Sequence, residues 1–283
     1  MASIIGNVIN FCLNAFFLFV LHKGVAGVAT ATVISRIINL VIVVLLGAVL
    51  VKAKQHPERE SNRAVMGQII RIGLPSACET AIYNVSMTLV IRFLNQMDAQ
   101  GLNVTARSYT MQITNFSYCV GAALAQANAI MTGWHIGAKE YDACDRGTKK
   151  AAVIGVIVAV ILETVFTLCS GWIMQLFSKD PQMVSLVGKL LAIDIVLEIG
   201  RVTNLVYGQA LKTSGDAVFP VVMGVCFMIL CSVGGTYLFG IRLGLLAVGA
   251  YIGMAGDECV RAIGMYLRWK SGKWKEKGLV KSR

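Results

Sequence analysis

An otherwise apolar segment carries four strongly polar side chains at helical spacing. They are Asp194, Glu198, Arg201 and Asn204, which follow one another at intervals of 4, 3 and 3 residues and so lie near one face of a helix. If this helix crosses a membrane, an ionised side chain at its centre costs about 2.5–3.5 kcal/mol on insertion scales, and such residues commonly bind ions or substrates. We therefore expect Asp194 and Glu198 to bind a cation or a proton.

Further polar side chains share helical faces in other apolar segments. They are Glu79 and Tyr83, Gln112 and Asn115, and the cluster Asp257, Glu258 and Arg261. Polar stripes on several membrane helices must face one another or a wet cavity. The charged groups also have a structural interpretation, in which they are neutralised pairs that hold helices together. Glu198 could pair with Arg201 in this way, and either acid of the last cluster could pair with Arg261.

The charge count within the apolar segments favours ion binding. The acids are Glu79, Glu163, Asp194, Glu198, Asp257 and Glu258, and the bases are Arg36, Lys189, Arg201 and Arg261. At least two carboxyl groups therefore lack a basic partner and could take up a proton or a monovalent cation. Glu79 is the first candidate, because no basic residue lies one turn away on its helical face. The role of Glu163 stays open.

The composition predicts an all-α integral membrane protein. Of the 283 residues, 56% are hydrophobic and only 14% are charged, and the mean hydropathy is +0.69, which is too apolar for a soluble domain. Apolar runs long enough to cross a bilayer predict eight helices, at 4–21, 24–51, 68–97, 102–134, 148–177, 183–212, 217–240 and 243–269. The sequence has no Ser–His, HExxH or GxGD pattern and no CxxC pair, so we expect neither an enzyme nor a cofactor.

The net charge of +11 follows membrane topology rather than nucleic-acid binding. Most lysines and arginines in the predicted loops or near the ends of the predicted helices, Lys212 among them, fall on the side that holds both termini, whereas Arg107 falls on the opposite side. The positive-inside rule then places both termini in the cytoplasm of a protein that spans the cell membrane several times. The basic tail, with Trp269 and Trp274 among its lysines, is expected to contact membrane lipid.

A weak internal repeat suggests how the chain is divided. The hairpin at 17–28 recurs at 237–248, so the last two helices would correspond to the first two. Helices 3–8 would then form one complete six-helix lobe, and helices 1–2 would end an earlier lobe. The expected parts are the last hairpin of an N-terminal lobe (1–51), a cytoplasmic linker (52–67), a six-helix C-terminal lobe (68–270) and a basic cytoplasmic tail (271–283).

The order and spacing of several segments resemble one family. Residues 72–76 (IGLPS), followed by Glu79, resemble the start of the seventh helix of MATE (multidrug and toxic compound extrusion) transporters. Three further segments resemble their counterparts in one bacterial branch of that family, namely 198–204, 211–220 and 257–270. Helices 1–2, including 24–36, resemble the family's fifth and sixth helices.

The resemblance implies twelve helices in two six-helix lobes and the export of cationic or amphipathic compounds in exchange for Na⁺ or H⁺. Glu79 matches the glutamate of helix seven that binds the coupling cation in this family. The resemblance therefore implies one possible metal site, for Na⁺ at Glu79. Some members carry a further acid in helix ten, and Arg201 takes that place in one register. The family's first four helices have no counterpart here, so we expect a fragment, or a chain that works with a separate N-terminal half.

These observations lead to one main hypothesis and two alternatives. Glu79, helped by Asp194 or Glu198, would exchange H⁺ or Na⁺ for small organic cations. Arg201 and Arg261, with Asp257 and Glu258, would tune or neutralise the charges, and the substrate path would be lined by Tyr83, Gln112, Asn115 and Asn204. The alternatives are a lipid-linked flippase of related architecture, and a membrane scaffold or fragment that transports nothing.

Overall fold

The computed structural model describes residues 2–52, 62–98 and 100–276, and these residues form helices joined by short turns, with no strand among them. Contacts divide the chain into two compact units, Met1–Val65 and Met66–Arg283. The division falls within the predicted linker 52–67. The all-α class is confirmed, whereas the other predicted boundaries remain predictions.

The first unit is a helical hairpin. Helix α1 (Ala2–Ala15) continues as a π-helical turn (Phe16–Val20), and α2 (Gly24–Lys52) returns beside it. The two helices approach closely at Gly6, where a Cβ atom would lie 2.9 Å from Asn39 Nδ2. A hydrogen bond from Asn10 Nδ2 to Ser35 Oγ, at 2.9 Å, also crosses between them.

The second unit contains the remaining helices. They are α3 (Asn62–Met97, from Met66 onward), α4 (Leu102–Gly137), α5 (Tyr141–Leu168), the short α6 (Ser170–Met174), α7 (Pro181–Thr213), α8 (Val218–Phe227) with its π-helical continuations Met228–Val233 and Thr236–Arg242, α9 (Leu246–Lys270) and a final 3-10 turn (Lys273–Glu276). Helix α7 is central and packs against α4, α5 and α9.

Local sequence signals explain where two of the long helices begin. Helix α7 starts with Pro181, whose missing N–H costs nothing in the first turn, and the Asp180 carboxylate accepts a hydrogen bond from Gln182 N at 3.0 Å. Helix α4 starts after Gly101, at φ 71°, and the Asp98 carboxylate accepts hydrogen bonds from the backbone N–H groups of Leu102 and Asn103 at 3.0 Å. The long apolar helices therefore begin at defined residues.

Two apolar clusters lie on either side of the middle of α7. One contains Leu190, Leu191 and Leu197, and the other contains Val202 and Val206. The charged face predicted around 194–204 therefore lies between two clusters of buried apolar side chains. At this level Gly200 allows α7 to approach α9 closely, since a Cβ atom there would lie 2.8 Å from the backbone of α9.

Two of the predicted helix ranges differ from the observed ones by more than three residues at one or both ends. The helix predicted at 148–177 begins at Tyr141 and ends at Leu168, where a turn separates it from α6. Helix α3 begins at Asn62, inside the predicted linker, while 53–61 lies outside the described residues. Of the predicted tail, 277–283 also lies outside them. Among the described helices, three are long and apolar enough to cross a membrane, namely Gly24–Ala48, Tyr141–Leu168 and Val218–Arg242. The count of eight spans therefore stays a prediction.

Candidate functional site

Two neighbouring cavities of the second unit are lined by ionisable side chains. The larger, of about 290 Å³, lies between α3, α4, α7, the π-helical turn after α8 and α9. The smaller, of about 190 Å³, includes Glu79, Asn204 and Lys212 in its lining. The two cavities share the lining residues Tyr83, Tyr118, Arg201, Glu258 and Arg261. They therefore form one polar region inside an apolar helical lobe.

An ion-pair network joins the middle of α7 to the middle of α9. Arg201 Nη1 lies 2.8 Å from Glu198 Oε2 within α7. Arg201 Nε also lies 3.9 Å from Glu258 Oε1 on α9, and Asn204 Nδ2 donates to Glu258 Oε2 at 3.1 Å. The helical spacing thus produces the face that the sequence predicts, and Gly200 brings that face against α9.

Within α9, Arg261 contacts two acids. Its Nε and Nη2 donate to the two carboxylate oxygens of Asp257 at 2.9 and 3.0 Å. Nη2 also lies 2.9 Å from Glu258 Oε1, and Ser232 Oγ donates to Asp257 Oδ2 at 2.9 Å. Asp257 and Arg261 are both buried. These ion pairs therefore compensate charge within α9 itself, and the hydrogen bond from Ser232 joins the cluster to the π-helical segment after α8.

The expectation that Glu79 has no basic partner is wrong. Lys212 Nζ lies 2.7 Å from Glu79 Oε2 and joins α3 to the last turn of α7. The charge distribution assigns Lys212 to a cytoplasmic surface, but its side chain lines the smaller cavity. Local spacing could not reveal this pair, because its members are separated by 133 residues.

The carboxylates without a complete set of partners lie on α5 and α7. Among the described residues, neither oxygen of Glu163 has a hydrogen-bond partner, and the same holds for Asp194 Oδ2 and Glu198 Oε1. Glu163 is fully buried, at 0% exposure. A carboxyl group is costly in such surroundings unless it is hydrogen-bonded. The sequence alone leaves the role of Glu163 open, because it does not give the depth of this side chain.

Arg107 is a site residue that sequence reasoning missed. The charge distribution places it on an outer surface, but its side chain is only 5% exposed and lines the larger cavity. Its Nη2 lies 3.7 Å from Met87 Sδ, and its Nε has no partner among the described residues. The sequence could have indicated that Arg107 is buried, because this residue lies inside the predicted helix 102–134.

The predicted substrate-path residues divide into two groups. Tyr83 and Asn115 line the larger cavity, and Tyr83 and Asn204 line the smaller one. Gln112 is exposed and lines neither of these two cavities. Gln112 therefore lies outside both cavities, and the roles of all four residues stay predictions.

A lobe of long apolar helices with ion pairs and open cavities at its centre is typical of membrane transporters. Residues 75–238 match the model of the MatE family, and the chain belongs to this family. The uncharacterized transporter YisQ of Bacillus subtilis is 34% identical over 280 residues, which cover 97% of this chain and 61% of that protein. Human multidrug and toxin extrusion protein 2 is 21% identical over 87% of this chain and 40% of its own length.

Solved structures show the same fold. The crystal structure of a MATE transporter in the straight conformation gives a TM-score of 0.82 at 20% identity, over 97% of this chain and 62% of that one. An outward-facing MATE transporter gives a TM-score of 0.83 at 19% identity, with the same coverage. The chain thus spans about 61% of the length of YisQ and 62% of these structures.

Proposed function

We propose that this chain forms part of an antiporter that exchanges H⁺ or Na⁺ for cationic or amphipathic organic compounds. Membership of the MatE family supports transport. The observation that carries the exchange mechanism is the pair of buried carboxyl groups, Asp194 and Glu198, which each keep one oxygen without a partner among the described residues. Asp194 also lines the larger cavity. A carboxyl group in that position can hold a cation in one state and release it in another.

The simplest exchange at these acids is that of a proton, because a proton needs only one carboxylate oxygen. Asp194 lines the cavity, and Glu198 is held at 2.8 Å by Arg201 on the next turn. Proton binding at Asp194 would therefore change the charge of the cavity directly.

Glu79 is proposed as a second exchange site that Lys212 controls. The Lys212 ammonium lies 2.7 Å from the carboxylate and takes the place that a cation would occupy. A cation could bind Glu79 only after Lys212 moves, and this movement would separate α3 from the end of α7. Ion binding would thus be coupled to helix movement, as exchange between two conformations requires.

The function can be tested by transport into proteoliposomes under a pH gradient, with ethidium as a fluorescent organic cation. The chain would be measured alone and together with the segment of YisQ that it does not cover. We expect Asp194→Asn and Glu79→Gln to abolish gradient-driven transport. Glu140→Gln is the control, since Glu140 is exposed in the turn before α5. Undiminished gradient-driven transport by Asp194→Asn would refute the proposed role of that residue.

The same experiment tests the alternative of a scaffold or fragment. The contacts of Glu258 on α9 with Arg201 and Asn204 on α7 favour that alternative, because they stabilise the packing of these helices whether or not anything is transported. A fragment would show no gradient-driven transport in either preparation. We also propose that the protein resides in the cell membrane with both termini in the cytoplasm, which cysteine labelling from each side would test.

A further inference from the structure

We propose that the larger cavity binds a ligand that carries a carboxylate, and that Arg107 holds this group. The inference rests on the proposed transport function in so far as it names a substrate class. The site depends on the burial and charge of Arg107 and on the side chains that line the larger cavity. Binding at this site can be measured without any transport.

Arg107 is a buried cation without a counter-ion. Its side chain is 5% exposed, and a guanidinium group stays protonated under all conditions in which proteins fold. Among the described residues, no carboxylate lies within ion-pair distance of it, and its Nε has no hydrogen-bond partner. The contact of Nη2 with Met87 Sδ, at 3.7 Å, is a weak one. Burying a charge in this way is costly unless an anion completes the site.

The other two arginines of the cavity differ from Arg107. Arg201 lies 2.8 Å from Glu198, and Arg261 is bound by both oxygens of Asp257. Asp194 also lines the cavity, yet it forms no ion pair with Arg107. The charges of Arg201 and Arg261 are thus neutralised by the protein, whereas the charge of Arg107 is available to a ligand.

The remaining lining suits an aromatic or otherwise flat apolar body. Met87, Met111 and Met254 line the cavity together with Tyr118 and Tyr251. Methionine side chains adapt to different shapes and pack well against rings, and tyrosine rings stack against planar molecules. The volume of about 290 Å³ is close to the lower end of cavities that hold small organic ligands. The ligand class is therefore a compact aromatic carboxylate, which includes zwitterions that also carry an amine.

Two xanthene dyes provide a matched pair of probes. Rhodamine 110 carries a free carboxylate, and rhodamine 123 is its methyl ester, so the pair differs only at the group that Arg107 would bind. Binding would be measured by fluorescence polarisation with the full chain in detergent micelles. Only the acid dye can form a charge-assisted hydrogen bond with Arg107. We therefore expect the protein to bind rhodamine 110 about tenfold more tightly than rhodamine 123.

Variants assign this difference to one residue. Arg107→Gln should weaken binding of the acid about tenfold and leave the ester unchanged. Arg107→Lys should retain part of the preference, because the charge remains but the bidentate geometry is lost. Arg242→Gln is the control, since Arg242 is an exposed arginine at the end of a π-helical segment, and it should change neither affinity.

Equal affinities of the wild-type protein for the two dyes would overturn the proposal. So would an equal loss of both affinities in Arg107→Gln, because that result would mean that Arg107 only supports the fold. If Arg107→Gln does not fold, the comparison of the dyes with wild-type protein and Arg107→Lys decides the question. Modification of Arg107 by phenylglyoxal, which should be slowed by the acid and not by the ester, checks the result without mutation. Loss of transport with retained acid preference would refute the proposed function and leave this site intact.

Discussion

The ion pair between Glu198 and Arg201 allows a quantitative test of whether charge holds the centre of the lobe together. Arg201 Nη1 lies 2.8 Å from Glu198 Oε2, and the exposed fractions of the two side chains are 21% and 0%. Removing one partner of a buried ion pair costs about 3–5 kcal/mol, because an uncompensated charge remains, whereas removing both is often neutral. Arg201→Gln should therefore be more destabilising than the double change Glu198→Gln with Arg201→Gln.

The two single changes are not expected to cost the same. Glu198→Gln leaves Arg201 with Glu258 at 3.9 Å, so part of its charge stays compensated. Arg201→Gln leaves Glu198 with no basic partner among the described residues. We expect the first change to cost about 1–2 kcal/mol, the second about 3–4 kcal/mol and the double change about 2–3 kcal/mol, which gives a coupling energy of about 2–3 kcal/mol.

A second pair in the same protein serves as the matched control. Lys149 Nζ lies 2.7 Å from Asp145 Oδ2, also within one helix, but these side chains are 51% and 31% exposed. Exposed ion pairs contribute about 0.2–1 kcal/mol. Both cycles would be measured as free energies of unfolding in mixed micelles, followed by circular dichroism.

The size of the coupling energy also reports the charge state of Glu198. Hydrogen bonds between neutral side chains inside membrane proteins average about 0.6 kcal/mol. A value near 0.6 kcal/mol, no larger than that of the control pair, would mean that Glu198 is protonated beside Arg201. That outcome would refute the assignment of Glu198 and Arg201 as a charged pair.

Three further predictions concern stability. Gly200→Ala should cost about 1–3 kcal/mol, because its Cβ would lie 2.8 Å from the backbone of α9, while Gly256→Ala meets nothing within 4 Å and should be nearly neutral in the same thermal unfolding experiment. Asp98→Ala should cost about 1 kcal/mol at neutral pH, since Asp98 caps α4. Although burial opposes ionisation, hydrogen bonds from Asn103 and other backbone N–H groups lower the pKa of Asp98. Its contribution is therefore complete above the unfolded-state pKa of about 3.9 and is lost as the pH falls through the lower folded-state value, so wild type and variant should converge there. Glu163→Gln should leave the melting temperature unchanged or raise it, as the buried acid has no hydrogen-bond partner among the described residues; a clear fall would mean that its ionised form stabilises the protein.

The sequence predicts those parts of the site that depend on spacing within one helix. The intervals from Asp194 to Asn204 place these residues near one face of α7, and the separation of three residues allows Glu198 to pair with Arg201, as observed. The same local rule predicts the pairing of Asp257 with Arg261. Helical periodicity is a property of the backbone, so no tertiary information is needed for these features.

The features that sequence reasoning missed depend on how helices pack. Lys212 ends a predicted helix, and hydropathy places it outside the membrane, yet α3 and α7 bring it to Glu79. Arg107 lies near the start of an apolar segment, and this position predicts a side chain at the membrane surface. In the structure, Arg107 instead lines the larger cavity together with residues of α3, α7 and α9. Depth within a bundle is set by contacts between distant segments, which single-sequence periodicity does not contain.

The division between local and distant pairs has a consequence for how the lobe can move. Glu198 with Arg201, and Asp257 with Arg261, each lie within one helix, so each pair can neutralise itself before helices pack and reduces the cost of placing that helix in a membrane. These pairs persist in any arrangement of the helices. The pair of Glu79 with Lys212 joins two helices and must break when α3 moves away from α7. Movement of the lobe therefore exposes the charges of Glu79 and Lys212, while the charges of Glu198 and Asp257 remain paired within their own helices.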